Sequence, residues 1–299
     1  MLSLVLQNSE LQDSDTDILK SSSIPTLLTS MLKVVFKKGE EFPLTLAYLI
    51  RATSLLIRPT FNSTVGIDPM LIKGLLLLIP GFLKVKSGSA PANTMIQMYT
   101  LNTIGIFLSQ ASIMPAKMIN IYKEIIDMKL LENACSMIGQ ISSSANQLQK
   151  LAIEVVSTAV HPFYGEVYSF PWLRGPHNAV LEYNENISSF EVLRETVYNC
   201  LNEFDWTNKL TTAYKEFFDS DSIACICIFR IVLQMLRFKL DTVSVLLQDG
   251  EIMKLFHLSL SGTHVVCKAL SLEIFRIIIS QIDSQMIDFS DLELEATTI

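Results

Sequence analysis

The chain has 299 residues, 49% of them hydrophobic, a mean hydropathy of +0.37 and a formal net charge of −7. That length and apolar content support a large buried core, and a negative balance without clustered Lys and Arg argues against a nucleic-acid partner. Five cysteines, at 135, 200, 225, 227 and 267, are an odd number, and most sit inside apolar helical patterns where a thiol serves as a small core group.

Residues 1–17 contain no basic region and no long apolar stretch ahead of their acids, so they are expected to be a flexible N-terminus and not a leader. Reduced thiols and a cytoplasmic setting follow as the expectation. Helical periodicity then runs through the chain with no convincing period-two strand. The spacing predicts helices over 18–37, 42–57, 68–86, 92–111, 115–139 and 145–160, which together form an N-terminal block at 18–160. The most apolar run, Met70 to Leu83, is interrupted by Lys73, Gly74 and Pro80 and falls short of the roughly 20 residues a bilayer requires, so it reads as a buried helix.

An insert at 161–187 follows, lacking helical period. Its first twenty residues, HPFYGEVYSFPWLRGPHNAV, hold three of the ten prolines, two of the four histidines and one of the two tryptophans. His161-Pro162 ends the preceding helix, because a residue before proline avoids the α region. Phe170 and Trp172 supply large apolar area between Pro171 and Pro176. They are expected either to seal a seam between helical blocks or to meet a partner. Beyond it, helices are predicted over 188–204, 207–218, 221–239, 242–260 and 264–282, a C-terminal block at 188–282. The tail at 283–299 carries five acids and no base. Asp68 before Pro69, Ser188 with Glu191, and Asp241 before Thr242 are expected helix starts.

Three of these helices carry narrow polar stripes. Asn93, Gln97, Thr100 and Thr103 share one helical face, as do Asn146, Lys150, Glu154 and Ser157. Arg230, Gln234 and Arg237 form a third on a helix otherwise apolar on all sides. Each stripe is expected to be the wet edge of an otherwise covered helix, either the ordinary polar face of a surface helix or a place for a partner.

Residues 126–160 and 251–278 share a plan: a helix with Met-Lys-Leu, a polar break containing Ser, and a longer helix with alanine on its packing face. In the first, Leu148, Leu151, Ala152, Val155 and Ala159 share that face; in the second, Val266, Ala269, Leu270, Ile274 and Ile277 do. This pattern resembles armadillo or HEAT-type helical repeats over most of 18–282. The resemblance implies an α-solenoid with one long central loop, a concave binding groove and a protein partner. Without a motif of its own, the helical run is also similar to the C-terminal region of Fused-like protein kinases. That likeness implies a regulatory fragment of a larger enzyme, since the Gly-rich loop, His-Arg-Asp and Asp-Phe-Gly of a kinase do not occur here.

Arrangements that carry chemistry do not stand out. The sequence has no G-x-G-x-x-G, G-x-x-x-x-G-K-[ST], G-x-S-x-G, H-E-x-x-H or C-x-x-C. Cys225 and Cys227 point about 200° apart on a helix and do not share a metal. His257 and His264 are separated by Ser261-Gly262, and no nucleophile stands near His161 or His177. The expected function is a non-enzymatic interaction scaffold with no cofactor or metal, which binds a partner through Gln97, Asn146, Lys150, Glu154, Arg230, Gln234 and Arg237 or through Phe170 and Trp172.

Overall fold

The computed structural model describes residues 23–57, 69–113, 124–139, 146–160, 195, 198–203, 205–238 and 250–282. Among these residues the regular structure is all α, with no strand. The helices are α1 (Ile24–Phe36), α2 (Pro43–Ile57), α3 (Pro69–Leu76), α4 (Ile79–Phe82), α5 (Ala90–Ile113), α6 (Leu130–Met137), α7 (Asn146–Val160), α8 (Trp206–Phe217), α9 (Ser222–Phe238), α10 (Gly250–Ser261) and α11 (Val265–Ile282). Short helical stretches also occupy 124–127 and 198–202. The expected starts at Asp68, Ser188 and Asp241 lie outside the described residues.

Prolines open helices here. Pro43 and Pro69 are the first residues of α2 and α3, and Pro25, Pro80 and Pro91 the second residues of α1, α4 and α5. Proline suits these positions because the first N–H groups of a helix have no internal acceptor. Pro80 thereby divides the helix expected over 68–86 into α3 and α4: its missing N–H and its ring clash prevent α3 from continuing. The helix expected over 115–139 is likewise broken within its described part, at Lys129, which has a left-handed backbone (φ 58°). Asp205, also left-handed (φ 48°), stands before α8.

Packing follows chain order. Helix α2 lies against α5, α5 against α7, α7 against α9 and α9 against α11. In a second row α1 touches α3 and α8 touches α10. Lys73 on α3 meets Glu124 at 3.4 Å, and Lys209 Nζ on α8 lies 3.5 Å from the Cys135 carbonyl oxygen on α6. Contacts between the rows join α1 with α2, α4 with α5, α6 with α7, α8 with α9 and α10 with α11. Each of these pairs is contiguous in sequence, as short connections between antiparallel neighbours require.

The core lies between the rows. Helix α9 is its most enclosed element: from Ala224 to Leu236 only Ile226 and Arg230 keep appreciable exposure. A helix apolar nearly all round must be covered on every side, and α9 touches α7, α8 and α11. Aromatic rings run through this region, with Tyr214 edge-on to Phe229 at 5.3 Å, Phe229 near Phe256 at 6.1 Å and Phe256 near Phe275 at 5.1 Å. Burial of each such ring contributes about 2–3 kcal/mol. Apolar side chains stay exposed at both ends of the described series: Leu27 and Val34 on α1, Val265 and Leu272 on α11.

Candidate functional site

The three polar stripes fall on α5, α7 and α9, which are consecutive members of one row. Their environments differ from one another and from a uniformly wet edge. On α5, Gln97 is half-buried, but Thr100 and Thr103 are buried, their hydroxyls donating to the carbonyls of Ile96 (2.6 Å) and Tyr99 (2.7 Å). A threonine that returns its hydrogen bond to its own helix needs no water, so this part of the stripe is covered. Asn93 serves the helix entry: its Oδ1 accepts from the Ser87 N–H (2.9 Å) and hydroxyl (2.8 Å), and its Nδ2 donates to the Ser87 carbonyl (3.0 Å). On α9, Gln234 is also buried, at 1% exposure. Arg237 lies in α9, its side chain outside the described residues, and Phe170 and Trp172 are outside them as well.

The α7 and α9 stripes do converge. Asn146 is exposed, Lys150 and Glu154 are half-buried and Ser157 is buried. Lys150 Nζ forms an ion pair with Asp221, immediately before α9, and lies 3.9 Å from Glu154 on its own helix. Asp221 caps α9, its Oδ1 accepting from the Ile223 and Ala224 N–H groups at 3.0 Å each. Burial pushes the Cys227 thiol up, the Ser157 hydroxyl and Arg230 pull it back, and Glu154 and Asp221 add to the rise. Lys150, Glu154, Ser157, Asp221, Cys227 and Arg230 therefore form one polar cluster across the α7–α9 seam.

Charge in the cluster is only partly balanced. Burial raises the Glu154 carboxyl above its ordinary range, against the pull of Lys150. Burial also pushes the Asp221 carboxyl upward, but the Lys150 hydrogen bond and the Ala224 and Ile223 N–H groups outweigh it and hold that carboxyl low. The hydrogen bond that Lys150 donates to Asp221 in turn raises the Lys150 ammonium. Arg230 Nε is buried without a hydrogen-bond partner, so a carboxylate or carbonyl oxygen reaching it would meet a desolvated donor.

On the other side of α7, Gln149 is 1% exposed. With its amide oriented to satisfy both ends, its nitrogen donates to Glu216 (2.8 Å) and its oxygen accepts from Gly139 N–H (3.1 Å). This ties the α6–α7 turn to α8. Cys225 and Cys267 are held up to about 12 and about 11 by burial, as expected of packed thiols. His264 Nε2 lies 3.3 Å from the Phe218 carbonyl oxygen, a contact between neighbouring pairs. No group of three His, Cys, Asp or Glu side chains among the described residues has an arrangement that would hold a metal ion. No helix among those residues is long and apolar enough to cross a membrane.

Neither the protein-family models, nor the curated proteins, nor the solved structures contain a match to the chain.

Several polar groups of the α2 to α11 row escaped the stripe pattern. Asp221 stands in Asp219-Ser-Asp-Ser222 ahead of an apolar run, a helix-start signature. Glu273, buried on α11, accepts from Arg276 Nε and Nη2 at 2.9 Å each, and the acid–base spacing of three on one helix signals that pair. Arg51 on α2 sits over the Tyr99 ring of α5, 5.4 Å from its centroid, and only the fold brings those two together.

Proposed function

We propose that this chain is an α-solenoid of armadillo or HEAT type and acts as a protein-interaction scaffold, not an enzyme. The observation that carries the reading is the chain-ordered row α2, α5, α7, α9, α11, each helix paired with its sequence neighbour in a second row. In such an arrangement one row lines an extended surface suited to peptides or partner helices. The half-buried cluster of Lys150, Glu154 and Arg230 sits midway along that row, and the buried, unpartnered Nε of Arg230 supports a partner that presents an acidic or carbonyl oxygen.

The test compares the wild-type chain with Arg230→Ala and Glu154→Gln in affinity capture, after far-UV circular dichroism has shown equal helicity. Gln234→Ala is a packing control, because Gln234 is buried. Loss of the same partner from both site variants supports the reading. An unchanged set of captured proteins with folded variants overturns it.

A further inference from the structure

Helix α1 carries two apolar faces. Leu28 and Leu32 are buried in the core, while Leu27, Met31 and Val34, spaced by four and three residues, form a second stripe that stands 58%, 43% and 66% exposed. Along its edge run Thr26, Ser30, Lys33 and Lys37, all exposed. The turn after α1 packs on the end of α4, where Phe36 meets the Phe82 ring edge-on at 5.2 Å and Gly39 faces the Val85 side chain. That packing gathers Lys37 and Lys38 with Lys84 and Lys86, all four exposed. None of the five lysines pairs with a carboxylate among the described residues. Glu40 and Glu41 are the acids of the turn, so five lysines against two glutamates leave this face at +3 in a chain of net charge −7.

The chemistry complementary to an exposed apolar stripe with a basic rim is an apolar segment rich in acid. The sequence contains one. Residues 283–299, outside the described residues, hold five acids and no base, interleaved with Met286, Ile287, Phe289, Leu292 and Leu294. We propose that the α1 face of one copy takes the 283–299 segment of a second copy, the lysine ammoniums facing the carboxylates and the Leu27, Met31 and Val34 stripe taking the interleaved apolar side chains. Reach decides for a second copy. Followed along its row, α2 stands four helix steps from α11, about 32–40 Å at 8–10 Å per step. Helix α11 ends at Ile282, and the four residues on to Met286 extend about 14 Å at most. A chain's own segment therefore falls short of its own α1. Because the face and the segment are different surfaces, the contact is heterologous and runs head to tail from copy to copy. It uses neither the α7–α9 cluster nor the Arg230 Nε, so it stands or falls separately from the scaffold reading.

Sedimentation velocity on the full chain over a concentration series should show mass rising with concentration, and high salt should weaken the association about tenfold. Charge reversal tests the two sides. Lys33→Glu/Lys37→Glu/Lys38→Glu makes the face acidic like the segment, and Asp288→Lys/Asp291→Lys/Glu293→Lys makes the segment basic like the face. Each triple variant alone, with helicity unchanged by far-UV circular dichroism, should be monomeric, and an equal mixture of the two should associate again. On the wild type, carbodiimide coupling of mixed light and heavy-isotope chains should join these lysines to the 283–299 acids between copies. Coupling confined to chains of one label would place the segment on its own α1 and overturn the proposal. So would association that both triple variants retain. A wild-type chain that stays monomeric at every concentration would overturn it too, and its sedimentation with phosphatidylserine vesicles would then give the face to a lipid surface.

Discussion

Replacing Asp221 separates two contributions at the α7–α9 seam. Its carboxylate caps α9 through the Ile223 and Ala224 N–H groups and pairs with Lys150, the two side chains being 21% and 31% exposed. A lost cap costs about 1 kcal/mol. A partly screened pair at this exposure contributes about 0.5–1 kcal/mol. Asp221→Ala should therefore destabilise by about 1.5–2 kcal/mol, whereas Asp221→Asn, which caps as well as aspartate, should lose only about 0.5–1 kcal/mol. Combined with Lys150→Met, the asparagine variant should give a coupling energy of about 0.5–1 kcal/mol by urea unfolding followed by far-UV circular dichroism. Equal losses for Asn and Ala would refute the cap component, and an asparagine variant as stable as the wild type would refute the charge component. A coupling energy within about 0.3 kcal/mol of zero would refute the pair.

The same pair sets a pH window. Asp221 is held below its ordinary range, so its contribution is present above the unfolded carboxylate value of about 3.9 and is lost as pH falls through the lower folded value. Lys150 is raised, so its contribution is present below about 10.4 and is lost as pH rises through the higher folded value. Glu154 has the opposite sign to Asp221: its carboxyl is raised by burial, and its protonation as pH falls through the folded value should add stability. In Asp221→Asn the acid limb of the stability curve should flatten, leaving the Glu154 gain visible.

Tyr214 is buried with its hydroxyl unpartnered, so Tyr214→Phe should stabilise the fold by about 1 kcal/mol, read as a rise in melting temperature; a drop would show that the hydroxyl has a role in the core. Gly139 has φ +77°, and an added Cβ would lie 3.2 Å from the Lys209 Cα. Gly139→Ala should cost about 1–2 kcal/mol from the left-handed backbone, more where α8 is pushed away, with a matching fall in the urea midpoint.

Periodicity made the helices and their faces legible. Ala152, Val155 and Ala159 on α7, and Leu270, Ile274 and Ile277 on α11, were placed on one face each by their spacing, and they are buried in the structure. What spacing cannot carry is the identity of the cover. Thr100, Thr103 and Gln234 occupy their expected faces but lie under neighbouring helices. Hydropathy also hid two breaks. The Met70–Leu83 run is apolar on both sides of Pro80, and Lys129 enters a left-handed turn with no glycine to announce it. The Met-Lys-Leu shared by the two similar segments is therefore not one structural unit, since Lys129 ends a helical stretch while Lys254 lies inside α10.

The convergence of polar groups came from a different level of the chain. Each stripe was set by local spacing, and sequential packing of α7 on α9 then brought Lys150 to Asp221. A local rule thus supplied half of every contact and the order of packing supplied the other half. Arg51 over Tyr99 has no local half at all. For that reason the α7–α9 cluster was partly readable from residues 146–157 and 230–237, while the Arg51–Tyr99 contact emerged only once α2 and α5 were set side by side.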